Sequence, residues 1–441
     1  MGLLIVFPVF IACMITALIL GWTMVLPLLA GLIMFAALGI HRGYAVRELA
    51  KWSAGSIRDS LVVIEVMLII GLLTAAWRAS GTITVFVYYG MKVIVPPLFL
   101  LITYLLACLL SYAIGTSFGV AGTLGVIFMT LARSGGVDPV LTAGVLMSGI
   151  YFGDRGSPVS SSANMVAGVT KTEIYSNVSL MHRTGLLPLL ITAAFYTVLS
   201  IQNPISHVDQ AVVTAFENEF HLSLWAFVPA VIMLLLPLLK VGIILSIAAS
   251  IVCSCLVAWL VQGMPLSAVI VTCVFGYESQ STGLGEILNG GGMLPMVEIA
   301  GILVISCAYS GIFSGTGMLK DVQALISKCC TAAGRFAVTL VVGVLSCIVF
   351  CNQTIATLIG NDFMTQPYLD TGGSRQELAI DMENSLIVTA GLVPWCIACS
   401  VPLTFFGVGF SAVPYACYLY LMPICWLLTK RHWFENRVRA A

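Results

Sequence analysis

Residues 151–168 read YFGDRGSPVSSSANMVAG, and they interrupt apolar sequence on both sides. Asp154 and Arg155 stand side by side, Pro158 follows, and Ser160, Ser161 and Ser162 form a run. Proline removes a backbone donor and glycine weakens a helix, so the stretch predicts a helix that stops and restarts at membrane depth. An ionisable group at the centre of a bilayer-spanning helix is unfavourable by at least about 2.5–3.5 kcal/mol, which makes Asp154 a functional candidate. Side chains adjacent in a helix diverge, whereas a break lets them meet, so a plain Asp154–Arg155 ion pair stays open as the alternative.

Working outward, 60% of the 441 residues are hydrophobic, only 9% are charged and the net charge is zero. Apolar runs near the roughly 20 residues that cross a bilayer recur along the chain, and soluble-looking stretches are shorter than that, which excludes a separate catalytic domain. The runs are uniformly apolar rather than alternating, so a β-barrel is excluded and the expected fold is an all-α, polytopic membrane protein. GLLIVFPVFIACMITALIL (2–20) has no basic segment before it and reads as a retained span rather than a cleaved signal. The fourteen cysteines lie mostly inside apolar runs, where they read as small buried hydrophobes, so no disulfide, metal or cofactor is expected. Zero net charge gives no argument for nucleic acid; the lipid bilayer and a small solute are the expected partners.

Basic residues are uneven between loops. Segment 41–59 carries four and the tail from Lys430 carries four, whereas 202–220 and 276–293 carry none. The positive-inside rule then puts 41–59 and both termini in the cytoplasm of a cell whose inner membrane the chain spans, and the base-free segments outside. That opposition invites a comparison of halves. VIEVMLIIGLLTAAWRASGT (63–82) has Glu65 ahead of Ser80-Gly81-Thr82, and MVEIAGILVISCAYSGIFSGT (296–316) has Glu298 ahead of Ser314-Gly315-Thr316. Gly125 with Phe128-Met129 answers Gly360 with Phe363-Met364, and Pro158 answers Pro394. The order and near-constant spacing predict two repeats of inverted topology: 1–201, then an external connecting segment 202–220, a second copy 221–430 and a basic tail 431–441.

Each half also places small and polar residues inside apolar surroundings. In the first these are SYAIGTSFGVAGTLG (111–125), with Thr116 and Ser117, and the stretch around Pro158; in the second they are CNQTIATLIG (351–360), with Thr357, and DMENSLIVTAGLVPW (381–395). Discontinuous helices are expected there, because irregular backbone at membrane depth survives only where protein or a water-filled cavity satisfies it. Close helix packing by glycine and serine is the competing reading for any single residue.

GDRGSPVSSSANMVAGV (153–169) resembles the GD-K-x-SP-x-S-D-T-T-N stretch of NhaC-type sodium/proton antiporters, and DMENSLIVTAGLVPW resembles their E-D-S-G-T-x-x-x-P-L-I-P-W stretch. The resemblance extends to GTSFGVAGTLG, to HRGYAVRELAKW (41–52) and to Asn352. It implies re-entrant hairpins, elevator-like alternating access, and sodium and protons as the transported ions. It further implies that Asp154 binds cation and proton, lined by Ser157, Ser160 and Asn164, with Asn352, Thr354, Glu383 and Thr389 approaching from the second half. The chain departs from the pattern at Arg155 for Lys, at Ser161 and Asn384 for Asp, and at Cys396 for Asn. Two missing carboxylates leave cation selectivity and stoichiometry open.

A buried carboxylate for which proton and sodium compete suits an exchanger, and sodium as a hard cation takes hydroxyl, amide and carbonyl oxygens. The rival is a cation-coupled carrier of an amino acid or small organic acid, in which Arg155 pairs with the substrate carboxylate. Another class is a serine hydrolase, since GTSFG (115–119) matches G-x-S-x-G with Ser117 as nucleophile. That motif needs a strand-turn-helix elbow and a histidine base, and no histidine, including His182 and the loop residue His207, has an evident partner. A passive channel lacks any carbonyl filter or charge ring. Glu65 and Glu298 read equally as buried proton-relay members and as braces of a broken helix, while Arg78, Asp321 and Asp362 read as interface residues that snorkel. A homodimer is left open.

Overall fold

The computed structural model describes residues 2–438 apart from 60, 94, 206–209, 240, 280–283 and 317–319; His207 and the side chains of Asp321, Glu286 and the tail from 431 lie outside the described residues. Helices of eight or more residues are numbered in chain order. The first half holds α1 (Gly2–Ile19), α2 (Val25–His41), α3 (Val46–Asp59), α4 (Leu61–Ala79), α5 (Thr82–Val93) and α6 (Phe99–Ile114). It continues with α7 (Ser117–Ser134), α8 (Pro139–Gly156), α9 (Ser161–Thr170) and α10 (Ile174–Gln202). The second half holds α11 (Gln210–Glu219), α12 (Val228–Leu238), α13 (Ile243–Leu260), α14 (Leu266–Phe275), α15 (Pro295–Thr316) and α16 (Lys320–Ala333). Then come α17 (Arg335–Phe350), α18 (Gln353–Asp370), α19 (Arg375–Leu392), α20 (Ile397–Phe406) and α21 (Cys417–Val438).

Among the described residues there is no β-strand, only an isolated bridge between Tyr277 and Gly290. Among the described residues five helices are long and apolar enough to cross a membrane, or seven if two bent pairs each count as one span. Those pairs are α4 with α5, bent by 65° at Ser80-Gly81, and α19 with α20, bent by 50° at the segment containing Pro394. The chain is an all-α, multi-pass membrane protein.

Breaks occur where the sequence concentrates small and polar residues. Helix α6 ends at Gly115, whose φ of 74° lies in the left-handed region, and Thr116 turns extended to cap α7. In the other half α17 ends at Cys351, φ 53°, and Asn352 turns extended to cap α18. A non-glycine residue in that region is uncommon, which marks Cys351 as held there by its surroundings; its Sγ lies 3.0 Å from Tyr309 Oη. Between α8 and α9 the chain is extended at Ser157 and Ser160, and between α19 and α20 it is extended at Val393 and Cys396.

The breaks touch in pairs. Ser157 Oγ donates to the Tyr112 carbonyl at 2.6 Å, and a Cβ on Gly115 would stand 2.6 Å from the Val159 carbonyl, so glycine is required by both contact and φ. In the second half the Ile397 N–H donates to the Cys351 carbonyl at 2.8 Å. Two helices also widen into π-turns, α7 at Ala121–Gly125 and α19 at Glu383–Ile387. Such turns leave local backbone irregular and are frequent at functional sites.

Two expectations are corrected. Glu65 and Glu298 are exposed, not buried: α4 turns Val66 and Ile70 inward, one helical turn apart, and that leaves Glu65 on the outer flank, while Glu298 lies in the first turn of α15. Arg78 is buried rather than snorkelling, with Nε donating to the Leu288 carbonyl at 2.8 Å and Nη1 to the Thr74 carbonyl at 3.0 Å. Cys396 and Cys399 form a C-x-x-C spacing, and both are buried free thiols at the start of α20.

Candidate functional site

Asp154 lies in the last turn of α8, 2% exposed. Its Oδ1 accepts from Ser162 Oγ at 3.1 Å, and its Oδ2 faces Gln353 Nε2 at 3.5 Å. Ser160 fixes the local backbone: its Oγ donates to the Asp154 carbonyl at 2.5 Å and accepts from the N–H groups of Ser162 and Ala163 as the N-cap of α9. Because α9 restarts here, its second residue, Ser162, is turned back toward the carboxylate that ended α8.

The carboxylate faces a cavity of about 620 Å³. Its polar wall is Thr116, Ser117, Asp154, Ser161, Ser162, Gln353 and Thr354; the remainder is largely apolar, with Val66 and Ile70 from α4 and Pro237, Val241 and Ile243 from the α12–α13 corner. Polar side chains from three broken-helix ends thus share one wall with this carboxylate. Helices α7, α9 and α18 each begin at this wall, so their N-terminal N–H groups favour negative charge there.

Of the residues singled out from sequence, the cavity brings together Thr116, Ser117, Asp154, Ser161 and Thr354. Others build the breaks instead. Ser157 and Ser160 are spent on backbone groups, as described above. Asn164 Nδ2 donates to the Pro158 and Ser160 carbonyls at 2.9 and 2.7 Å. Asn352 Oδ1 accepts from Thr354 and Ile355 N–H at 2.9 and 3.3 Å, and Thr357 Oγ1 donates to the Gln353 carbonyl at 2.8 Å. Glu383, Asn384 and Thr389 are buried away from the cavity, and Glu383 is 1% exposed with no hydrogen-bond partner at either carboxyl oxygen.

Arg155 points away from Asp154. Its Nε donates to Asn384 Oδ1 at 2.8 Å, Nη1 to Tyr418 Oη at 3.2 Å, and Nη2 to Thr184 Oγ1 and the Met181 carbonyl, both at 2.9 Å. The adjacent ion pair is therefore replaced by divergence, α8 sending the carboxylate to the cavity and the guanidinium into the core. It does not line the cavity, so a bound substrate carboxylate would not meet it there. Ser117 is the first residue of a helix, not a strand-turn-helix elbow, and His182 lies against Tyr112 with ring centroids 5.4 Å apart.

Ser162 and Gln353 were not foreseen. Gln353 Nε2 also donates to the Ile387 carbonyl at 2.9 Å, the last residue of the π-turn in α19, and so ties that turn to Asp154. Its sequence signal was the neighbouring Asn352, whose side chain is taken up by capping.

The family described as the Na+/H+ antiporter family matches residues 149–429, the portion that contains Asp154, Gln353 and Glu383. The chain belongs to the Na+/H+ antiporter family. Membership makes it a transporter rather than an enzyme. The chain is similar to the malate-2H(+)/Na(+)-lactate antiporter of Bacillus subtilis, 28% identical over 392 residues, which covers 86% of this chain and 84% of the relative. The Na(+)/H(+) antiporter NhaC of the same organism is 26% identical over 413 residues, covering 91% of each chain. The arginine/ornithine antiporter ArcD of Halobacterium salinarum is 26% identical over 393 residues, covering 86% of this chain and 80% of the relative.

Proposed function

We propose that this antiporter exchanges sodium for protons by alternating access, with Asp154 as the carboxylate for which the two ions compete. The observation that carries the reading is the placement of that carboxylate: buried, bonded by Ser162 Oγ, and facing a cavity whose wall also holds Ser161, Thr116, Ser117, Gln353 and Thr354. A hard cation finds oxygen ligands there, and a proton needs only the carboxylate. NhaC-named relatives cover nearly the whole chain at 24–26% identity, in support of sodium as the cation.

We propose that alternating access is built on a pair of inverted repeats, 1–201 and 221–430, with 202–220 outside and the termini in the cytoplasm. The left-handed helix ends at Gly115 and Cys351, the caps at Thr116 and Asn352, and the caps at Ser160 and Cys396 are each 236 positions apart. Opposite loop charge around the two copies supports their inversion.

A second reading, coupled transport of a small organic solute, is favoured by one observation, the size of the cavity. About 620 Å³ with an apolar flank falls within the range of small-molecule sites. The name of the malate-2H(+)/Na(+)-lactate relative is in support of this reading.

Purified protein in proteoliposomes with an enclosed pH dye, challenged with sodium, lithium, potassium and a panel of amino and organic acids, separates the readings. Sodium-driven proton movement without any added acid is expected, and Asp154→Asn should abolish it at normal folding. Wild-type rates in that variant would overturn the assignment of Asp154, and movement only with an organic acid would replace the first reading by the second.

A further inference from the structure

We infer that Glu383 is a second proton-binding carboxyl, separate from the cation site, so that each sodium ion is exchanged for two protons; this rests on the assignment of Asp154. Glu383 opens the π-turn of α19 and is 1% exposed, and neither carboxyl oxygen has a hydrogen-bond partner. It does not line the cavity. A sodium ion requires several oxygens around it, and this enclosed position offers none from the cavity wall. A proton needs no ligand shell. An unpartnered carboxyl in the interior is accommodated as the neutral acid, because a bare carboxylate there would lose its hydration without replacement.

The surroundings also contain what the deprotonated form would require. Arg155 of α8 reaches the residue beside Glu383, and Asp154 precedes it on the same helix. From α21 the Tyr418 hydroxyl faces Arg155, and from α17 the Cys347 thiol faces the Leu386 carbonyl at 3.9 Å. Arg155 is held here by neutral acceptors and so has no carboxylate partner among the described residues. Its Nε acceptor is Asn384, the residue next to Glu383. When the Glu383 O–H releases its proton to water on the side to which the site is open, the anion left behind has a guanidinium charge at hand. Sodium then displaces the Asp154 proton. Two protons leave, one sodium arrives, and the charge of the loaded site falls by one.

The test is a balance-point measurement in proteoliposomes with the membrane potential clamped at zero. The pH gradient that just halts exchange against a fixed sodium gradient is read for wild type, Glu383→Gln and Glu383→Asp. Two protons per sodium are expected for wild type and for Glu383→Asp, and the halting pH gradient should double in Glu383→Gln, which keeps labelled sodium-for-sodium exchange. A wild-type ratio of one overturns the inference without any variant. An unchanged balance point in Glu383→Gln, or loss of sodium-for-sodium exchange in that variant at normal folding, overturns it as well. Wild-type protein that moves no protons against sodium overturns the proposed function itself, and this inference with it.

Discussion

Arg155 Nε stands 2.8 Å from Asn384 Oδ1, so two positions that depart from the sequence pattern of the NhaC-type antiporters meet in the core. The guanidinium is 1% exposed and has neutral oxygens at every contact given above. Asn384→Ala should therefore destabilise the protein by about 1–3 kcal/mol, because it leaves a buried charged donor unpaired. Asn384→Asp restores an acceptor and should retain the fold. Thermal unfolding in detergent, followed together with sodium binding, checks both; a large change in sodium affinity without a change in stability would place Asn384 at the ion instead.

Ser161 and Ser157 should behave differently although they lie in the same break. Ser161 lines the cavity, and Ser161→Asp adds a second negative charge beside Asp154, which should tighten sodium binding by about tenfold or more, or roughly 1.4 kcal/mol. In an organic-acid carrier the same change should suppress uptake through like-charge repulsion. Ser157→Ala loses the bond to the Tyr112 carbonyl and should lower stability by about 1 kcal/mol with sodium affinity unchanged. Calorimetric titration of sodium and of candidate acids reads out each case.

Gln353 links Asp154 to the Ile387 carbonyl, and Gln353→Ala removes both contacts. The Gln353 amide N–H favours the ionised carboxylate over the acid, so loss of a contact worth roughly 1 kcal/mol lets the proton compete better and should lower sodium affinity at fixed pH by about fivefold. Asn352→Ala is the control. It removes the cap of α18 and should reduce stability by about 1 kcal/mol while sodium affinity holds. The two variants compared by titration and by unfolding distinguish a residue at the ion from one that shapes the helix start.

Asp381 is 0% exposed and accepts from Tyr368 Oη, Trp426 Nε1 and Lys430 Nζ. Lys430 also pairs with Glu377 Oε1 at 2.7 Å, and Glu377 holds Arg335 at 3.0 Å. Removing one member of a buried charge pair destabilises strongly, so Asp381→Asn should cost about 3 kcal/mol, near the low end because Lys430 keeps Glu377. Transport per folded molecule should persist, since Asp381 lies outside the cavity. A folded but inactive Asp381→Asn would move this residue from bracing to the ion path.

Much of the fold could be read from the order of residues, because a bilayer imposes helices of a given length and glycine, proline and serine mark where they stop. The breaks at Gly115-Thr116 and at Ser157–Ser160 were visible for that reason. Their internal geometry was not. A capping side chain and an ion ligand call for the same residue types, so Asn164, Asn352 and Thr357 read as ligands while serving backbone groups. Helical phase is also lost at a break, which hid the turn of Ser162 toward Asp154. Burial of Arg78 depends on a carbonyl 210 positions away, at Leu288, which no local pattern records.

The contact between Ile397 N–H and the Cys351 carbonyl, with its counterpart from Ser157 to Tyr112, has a mechanical consequence. Each half has two interrupted helices whose gaps are tied to one another, so neither gap can flex alone without losing a hydrogen bond. The cavity-lining ends at Thr116, Ser161 and Thr354 are therefore fastened to a stiff crossing rather than to free hinges. Carrying a cation from one face of the membrane to the other then calls for displacement of that crossing as a unit against neighbours such as α4 and the α12–α13 corner, whose apolar side chains can slide without breaking a polar bond.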